Sequence, residues 1–166
     1  MKIIIGLLLF IAAGIASCKK SSYNPGGTET PNASNGWWVN YYIDGNPLFG
    51  HPVFFSTYNT SQSKDSMWVD DLHNFWTFKG KVKLDYSNLT FNSGLSQNVY
   101  YGDTARISNG KILPRAGHSK TGVATDSIYL EIQFSDETDP GGNPTPYATT
   151  FVMSGTARTG FVEDDY

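Results

Sequence analysis

The sequence has one cysteine and few charged residues, and both shortages exclude classes of protein. A single cysteine in 166 residues cannot build a disulfide framework or a cysteine-rich zinc site. Charged residues make up only 16% of the chain, the net charge is −3, and no basic stripe is present, so we expect no nucleic-acid partner. This length accommodates one domain rather than two.

The cysteine follows an apolar segment at the start of the chain. Lys2 precedes Ile3 to Ile15, a stretch of about 13 residues that is too short to span a bilayer of about 30 Å. Ile15-Ala16-Ser17-Cys18 resembles the bacterial lipobox, in which the thiol accepts a diacylglyceryl group. We therefore predict a signal peptide over residues 1–17 and lipid attachment at Cys18, in preference to a short membrane anchor or a buried core cysteine.

The predicted location follows from this segment. Acyl chains on Cys18 would anchor the protein in the cell envelope, with the outer membrane as the expected site. Lys19-Lys20 follow the cysteine where surface-exported lipoproteins tend to carry acidic residues, which favours the periplasmic face. Residues 18–35 are rich in Ser, Thr, Asn, Gly and Pro and are predicted to be a disordered tether, leaving a domain over residues 36–163.

No helical periodicity of useful length occurs after residue 18, whereas alternation of apolar and polar residues is frequent. The pattern predicts an all-β fold, a single antiparallel barrel of about eight strands. Asn109-Gly110 is typical of a two-residue hairpin turn. The predicted strands cover 37–43, 50–58, 66–70, 75–86, 89–92, 98–108, 111–114, 127–135 and 147–159.

The run 75–86 fixes which side chains should face the barrel interior. Lys79, Lys81 and Lys83 share one face and should point outward, because successive side chains of a strand alternate between faces. Gly80 lies on the apolar face and leaves space there, which we expect to form part of a cavity wall or a bend. The predicted ligand-binding or core residues are Trp76, Phe78, Gly80, Val82, Leu84, Ile128, Leu130, Ile132 and Phe134.

Several motifs in order resemble one family. They are Tyr58-Asn59-Thr60, Met67-Trp68-Val69-Asp70-Asp71, Phe78-Lys79-Gly80-Lys81-Val82, Ile107-Ser108-Asn109-Gly110-Lys111-Ile112, Asp126-Ser127-Ile128, and the run from Ser154 to Phe161. Their order and spacing resemble the lipid-binding putative hydrolase family of Bacteroidota lipoproteins, whose fold is similar to the calycin barrels. The resemblance covers most of residues 36–163 and implies lipid binding and, by the family's name, hydrolysis.

A looser resemblance concerns the closure of the barrel. Lipocalin-like calycins carry Gly-x-Trp on the first strand and a basic residue on the last strand that lies over that tryptophan. Gly36-Trp37-Trp38 and Arg158 are similar to this pattern. We call the contact between the basic residue and the tryptophan the latch, and the doubled tryptophan leaves open whether Trp37 or Trp38 takes part in it. The alternative is that Arg158 is a solvated strand residue.

Candidate catalytic groups are sparse. The sequence has no Gly-x-Ser-x-Gly elbow, and Asp70, Asp71 and His73 are the one place where carboxylates and an imidazole are close in sequence. This cluster is a candidate for a base with its orienting acid, or for two metal ligands, and a polar turn is the alternative that we favour. We predict no metal site and no cofactor.

We therefore rank three functions. The first is a barrel that binds a lipid or another hydrophobic small molecule, the second is a hydrolase using the Asp/His cluster, and the third is a structural lipoprotein with a filled barrel. The presence of an interior cavity would separate the first from the third. The sequence names no protein partner.

Overall fold

The computed structural model describes residues 27–61 and 63–166, so Cys18 and the predicted signal peptide lie outside the described residues. The described residues form nine antiparallel strands. No helix among them is both long enough and apolar enough to cross a membrane. The strands are β1 (Asn35–Ile43), β2 (Asn46–Pro47), β3 (Val53–Asn59), β4 (Ser66–Asp70), β5 (Lys79–Asp85), β6 (Thr90–Gln97), β7 (Thr104–His118), β8 (Ala124–Phe134) and β9 (Phe151–Ala157).

Eight of these strands close into a barrel, which confirms the predicted fold. The sheet runs β2-β1-β3-β4-β5-β6-β7-β8-β9, and β1 also pairs with β9 from Trp37↔Ala157 to Tyr42↔Val152. Strand β2 is the extra strand, joined to β1 by a turn in which Asp44 and Gly45 have φ values of 48° and 79°. Positive φ at both positions is what a tight two-residue hairpin needs.

The barrel interior is filled by the apolar side of each strand. Ile128, Leu130, Ile132 and Phe134 of β8 are buried, as the alternation predicts. On β5, Gly80, Val82 and Leu84 face inward and the three lysines point outward, so the predicted register of this strand is confirmed.

The hairpin predicted at Asn109-Gly110 is wrong, because both residues lie within the continuous strand β7. Asn109 does have a positive φ of 52°, and the pairing of β7 with β8 shifts register between Ser108 and Lys111. A β-bulge uses the same left-handed conformation that a tight turn uses, so Asn-Gly fits both structures.

Residues before position 36, which the predicted domain of 36–163 leaves out, also pack on the barrel. Thr30 and Ala33 are buried, and residues Pro31–Ala33 form a single 3-10 turn. The hydroxyl of Thr57 on β3 donates to the carbonyl oxygen of Ala33 at 2.7 Å. Part of the segment predicted as a tether, residues 28–35, therefore packs on the barrel, and deleting all of 19–35 would remove these packed residues.

Candidate functional site: the barrel interior and its plug

One end of the barrel is closed by the connection between β4 and β5, residues 71–78, which we call the plug. Sequence periodicity predicted a strand from residue 75, but β5 begins only at Lys79. In place of a strand, the plug folds back so that Phe75, Trp76 and Phe78 contact the core. Strand alternation could not predict this arrangement, because the segment leaves the ladder.

Phe75 is the central side chain of the plug. Its ring stacks on Tyr41 of β1 with centroids 4.0 Å apart and planes inclined by 22°. It also meets Phe151 and Phe134 edge-on, at 5.1 Å and 6.0 Å. Phe75 thus joins aromatic residues of three strands and remains partly exposed itself.

Trp76 lies beside Phe75 and covers the end of β8. Its ring stacks on Phe134 with centroids 4.6 Å apart and planes inclined by 4°. The indole N–H donates to a carboxylate oxygen of Asp136 at 2.8 Å. This bond supplies the polar partner that a partly buried tryptophan needs.

The interior beneath the plug has almost no free space. A cavity of about 10 Å³ remains, which is about the space of one water molecule. Its lining is apolar except for Asp71 and the Tyr41 hydroxyl, and consists of Tyr41, Phe55, Asp71, Phe75, Phe78, Leu130, Ile132, Phe134 and Met153.

The expectation that Gly80 leaves a gap in a cavity wall is wrong. A side chain built at Gly80 would overlap the ring of Phe78 and the hydroxyl of Ser96. The space that the glycine leaves is therefore occupied by these two neighbours. Gly80 allows the plug and β6 to pack closely against β5.

Asp71 holds the plug in place through its carboxylate. One oxygen accepts the backbone N–H groups of His73 and Phe78 at 3.0 Å and 2.9 Å, and the other accepts that of Trp76 at 2.8 Å. Burial raises the pKa of Asp71 above its usual value. The three hydrogen bonds act in the opposite direction, and the negative charge of the nearby Asp70 raises the pKa further. The sequence favoured a polar turn here over a catalytic or metal-binding group. It could not show the distant N–H partners, because these depend on the folded loop.

The plug also contains three non-glycine residues in the left-handed region. Leu72, His73 and Thr77 have φ values of 51°, 65° and 55°. This conformation is unfavourable for L-residues, most of all for a β-branched residue such as Thr77. Asp71 and the aromatic contacts thus maintain a strained segment.

Asp70 performs a structural role on the outer side of the barrel. Its carboxylate accepts the hydroxyls of Tyr58 and Tyr100, each at 2.9 Å, and lies 3.7 Å from the ammonium of Lys79. Burial and the hydrogen bond to Asp70 raise the pKa of Tyr100 to about 12 and also raise that of Tyr58. Asp70 also accepts the N–H of Leu72 at 2.9 Å.

The Asp70–Asp71–His73 cluster does not assemble a base with its orienting acid. His73 bonds to Asp71 through its backbone N–H, while its imidazole packs on Tyr100 with centroids 4.2 Å apart. The two carboxylates are occupied by groups that shape the plug. Within residues 27–61 and 63–166, no group of three or more His, Cys, Asp or Glu side chains could hold a metal ion.

The predicted latch residues lie on different sides of the sheet. Trp37 is buried inside the barrel and its indole N–H donates to the Thr57 hydroxyl at 2.9 Å, whereas Trp38 lies outside. Arg158 forms a two-pronged ion pair with Asp165, at 2.7 Å and 2.6 Å, and borders an outer groove with Trp38. Alternation along β1 separates the two tryptophans, and Arg158 follows the end of β9.

Comparison with known proteins gives one family. The family model described as "Lipid-binding putative hydrolase" matches residues 22–162. No curated protein matches the chain. A solved structure, a multidomain protein including DUF1735 from Bacteroides ovatus, is similar at 16% identity with a TM-score of 0.25, over 75% of this chain and 54% of that chain. The chain spans about half the length of that protein. On the strength of the family match, this chain belongs to the lipid-binding putative hydrolase family.

Proposed function

We propose that this protein is a lipid-anchored envelope protein whose barrel binds an apolar small molecule such as an acyl chain when the plug moves aside. The observation that carries the proposal is that side chains of a connecting segment, not of the strands, close this end of the barrel. Phe75 and Trp76 can leave without breaking any strand pairing. The family description, with its reference to lipid binding, supports an apolar ligand.

Displacement of the plug would exchange one set of apolar contacts for another. The surfaces that Phe75 covers belong to Tyr41, Phe134 and Phe151, which an acyl chain can cover equally well. Each buried methylene contributes about 0.8 kcal/mol, so a chain of several methylenes offsets the loss of one phenyl ring. Movement of the plug would also release the unfavourable left-handed backbone conformation of its residues, which lowers the free-energy cost of displacing it.

Anchoring belongs to the same proposal. Acyl chains on Cys18 would keep the barrel beside a membrane, which supplies apolar ligands at high local concentration. Lys19-Lys20 favour the periplasmic face of the outer membrane as the location.

A filled structural barrel is the second candidate function, and the cavity of about 10 Å³ favours it. Mass spectrometry separates the two. Protein purified from its native envelope is extracted with organic solvent, which removes bound lipid and leaves covalent acyl chains on the protein. We expect one class of acyl lipid in near-stoichiometric amount. An extract without lipid would refute binding and leave the structural function.

A further inference from the structure

The outer surface over β4, β5 and β6 carries two exposed lysines beside exposed apolar side chains. We call Trp68, Lys81, Lys83, Leu95 and Val99 the basic-apolar face. Trp68 and Lys81 are register partners on β4 and β5, and the Lys81 ammonium lies 5.1 Å from the centroid of the Trp68 ring. Lys83 points the same way two residues further along β5.

The apolar part of this face is held open to solvent. Leu95 and Val99 are 63% and 56% exposed. Two hydrogen bonds to β5 fix the segment that carries them. The Ser96 hydroxyl donates to the Lys81 carbonyl oxygen at 2.9 Å, and the Val99 N–H donates to the Lys79 carbonyl oxygen at 2.8 Å. These two exposed aliphatic side chains supply the apolar part of the face.

The two strands separate next to these residues. Pairing between β5 and β6 ends at Lys83↔Asn92, and β6 then shifts register against β7 between Ser93 and Ser96. The result is an open groove of about 420 Å³ that Lys81, Lys83 and Leu95 border.

The charge on this face is not neutralised by the protein. Within the described part of the chain, neither Lys81 nor Lys83 has a carboxylate oxygen within 4.0 Å, whereas Lys64 pairs with Glu29 at 3.6 Å and Lys79 pairs with Asp70. Asp65 borders the groove and Asp85 follows Lys83 on the same side of β5, and neither carboxylate lies within 4.0 Å of either ammonium group. In a chain of net charge −3, two unpaired ammonium groups on one face are complementary to an anionic surface.

The start of the described chain lies beside the same face. Glu29 reaches Lys64, and the Asn32 N–H donates to the Tyr86 hydroxyl at 3.3 Å. Cys18 precedes Gly27 by about 9 residues, which span at most about 30 Å when extended. An anchor at Cys18 would thus hold this face within reach of the bilayer, a step that rests on the proposed acylation.

We propose that the basic-apolar face docks the barrel on a bilayer surface that carries anionic headgroups. Lys81 and Lys83 contact phosphates, and Leu95 and Val99 enter the region between headgroups and acyl chains. Trp68 lies at the headgroup level, where amphipathic aromatic rings are favoured. Docking sets the orientation of the barrel and is separate from ligand binding in its interior.

The test uses residues 27–166, which contain the nine described strands and the packed residues Thr30 and Ala33, and we expect this portion to fold without the preceding chain, which a circular dichroism spectrum and cooperative unfolding check first. It lacks Cys18, so docking is measured without an acyl anchor. Co-sedimentation is measured with vesicles of phosphatidylcholine alone and with 30 mol% phosphatidylglycerol added (roughly one anionic lipid in three, enough for a strong surface potential). We expect binding to the anionic vesicles and its loss when salt is raised to about 1 M.

Two double variants test whether the residues of the basic-apolar face are the ones that contact the vesicles. Lys81→Gln with Lys83→Gln should weaken binding about 25-fold, because each lysine near an anionic surface contributes a factor of about five. Leu95→Ser with Val99→Ser should also weaken it. The matched control, Lys111→Gln with Leu113→Ser, lies on β7 and should bind like the wild type.

Three results would overturn the proposal. They are equal binding to neutral vesicles, an equal loss in the control variant, and binding to a soluble anionic polymer such as heparin as strong as to the vesicles. The last result would assign the face to an anionic macromolecule. None of them bears on fatty-acid binding by the barrel interior, so failure here is distinguishable from failure of the proposed function.

Discussion

Replacing Phe75 with alanine perturbs the plug directly. A fully buried Phe→Ala change costs about 3–5 kcal/mol, and Phe75 is partly exposed, so we expect the free energy of unfolding to fall by about 2–3 kcal/mol. Its stack on Tyr41 and its contacts with Phe151 and Phe134 account for this loss. Urea unfolding followed by tryptophan fluorescence measures it.

The same change should strengthen binding of an apolar ligand. The space of the lost phenyl ring would join the existing cavity of about 10 Å³, and a ligand would no longer need to displace the ring. We expect affinity for a fluorescent fatty acid to rise about tenfold, which corresponds to about 1.4 kcal/mol. Phe161→Ala is the control, because Phe161 is 59% exposed and should change neither quantity. Lower stability without higher affinity would refute the role of Phe75 as a displaceable closure.

Three further changes test other parts of the account. Cys18→Ala should leave an uncleaved precursor without acyl chains, as intact-mass measurement of the membrane fraction would show, and attached acyl chains would contradict the lipoprotein proposal. Gly80→Leu should destabilise the fold by about 2 kcal/mol with or without fatty acid, because the side chain meets Phe78 and Ser96; unchanged urea unfolding would contradict this packing. Hydrogen bonds from Thr159 and Thr121 lower the pKa of Asp164 to about 2. The ionised Asp164 carboxylate therefore stabilises the fold above about pH 4, and this stabilisation is lost as the pH falls toward 2. Asp164→Asn should remove that pH dependence from urea midpoints measured between pH 5 and 2.

The barrel was predictable from alternation because burial selects apolar residues at every second position. Strand β8 and the lysine face of β5 follow that rule and were assigned their correct sides. Strand β7 departs from it at Asn109, where a bulge replaces the predicted turn. Local sequence does not distinguish these two structures, because both use positive φ and the partner strand decides between them.

The plug was not predictable for a different physical reason. Phe75 and Trp76 continue an apolar run, and the sequence alone gives no sign that the chain leaves the sheet there. What redirects it is Asp71, whose carboxylate bonds N–H groups as far along the chain as Phe78. Such bonds exist only once the loop has closed, so the sequence favoured a polar turn at this cluster without showing which N–H groups it binds.

The central claim is that an apolar ligand enters the barrel beneath the plug, and methionine NMR tests it most directly. Met67 and Met153 are both fully buried, but only Met153 lines the cavity. With ¹³C-methyl methionine in residues 27–166, we expect titration with a medium-chain fatty acid to shift the Met153 methyl signal and leave that of Met67 in place. If neither signal moves at saturating fatty acid, the barrel is a filled structural module and the ligand-binding account is wrong.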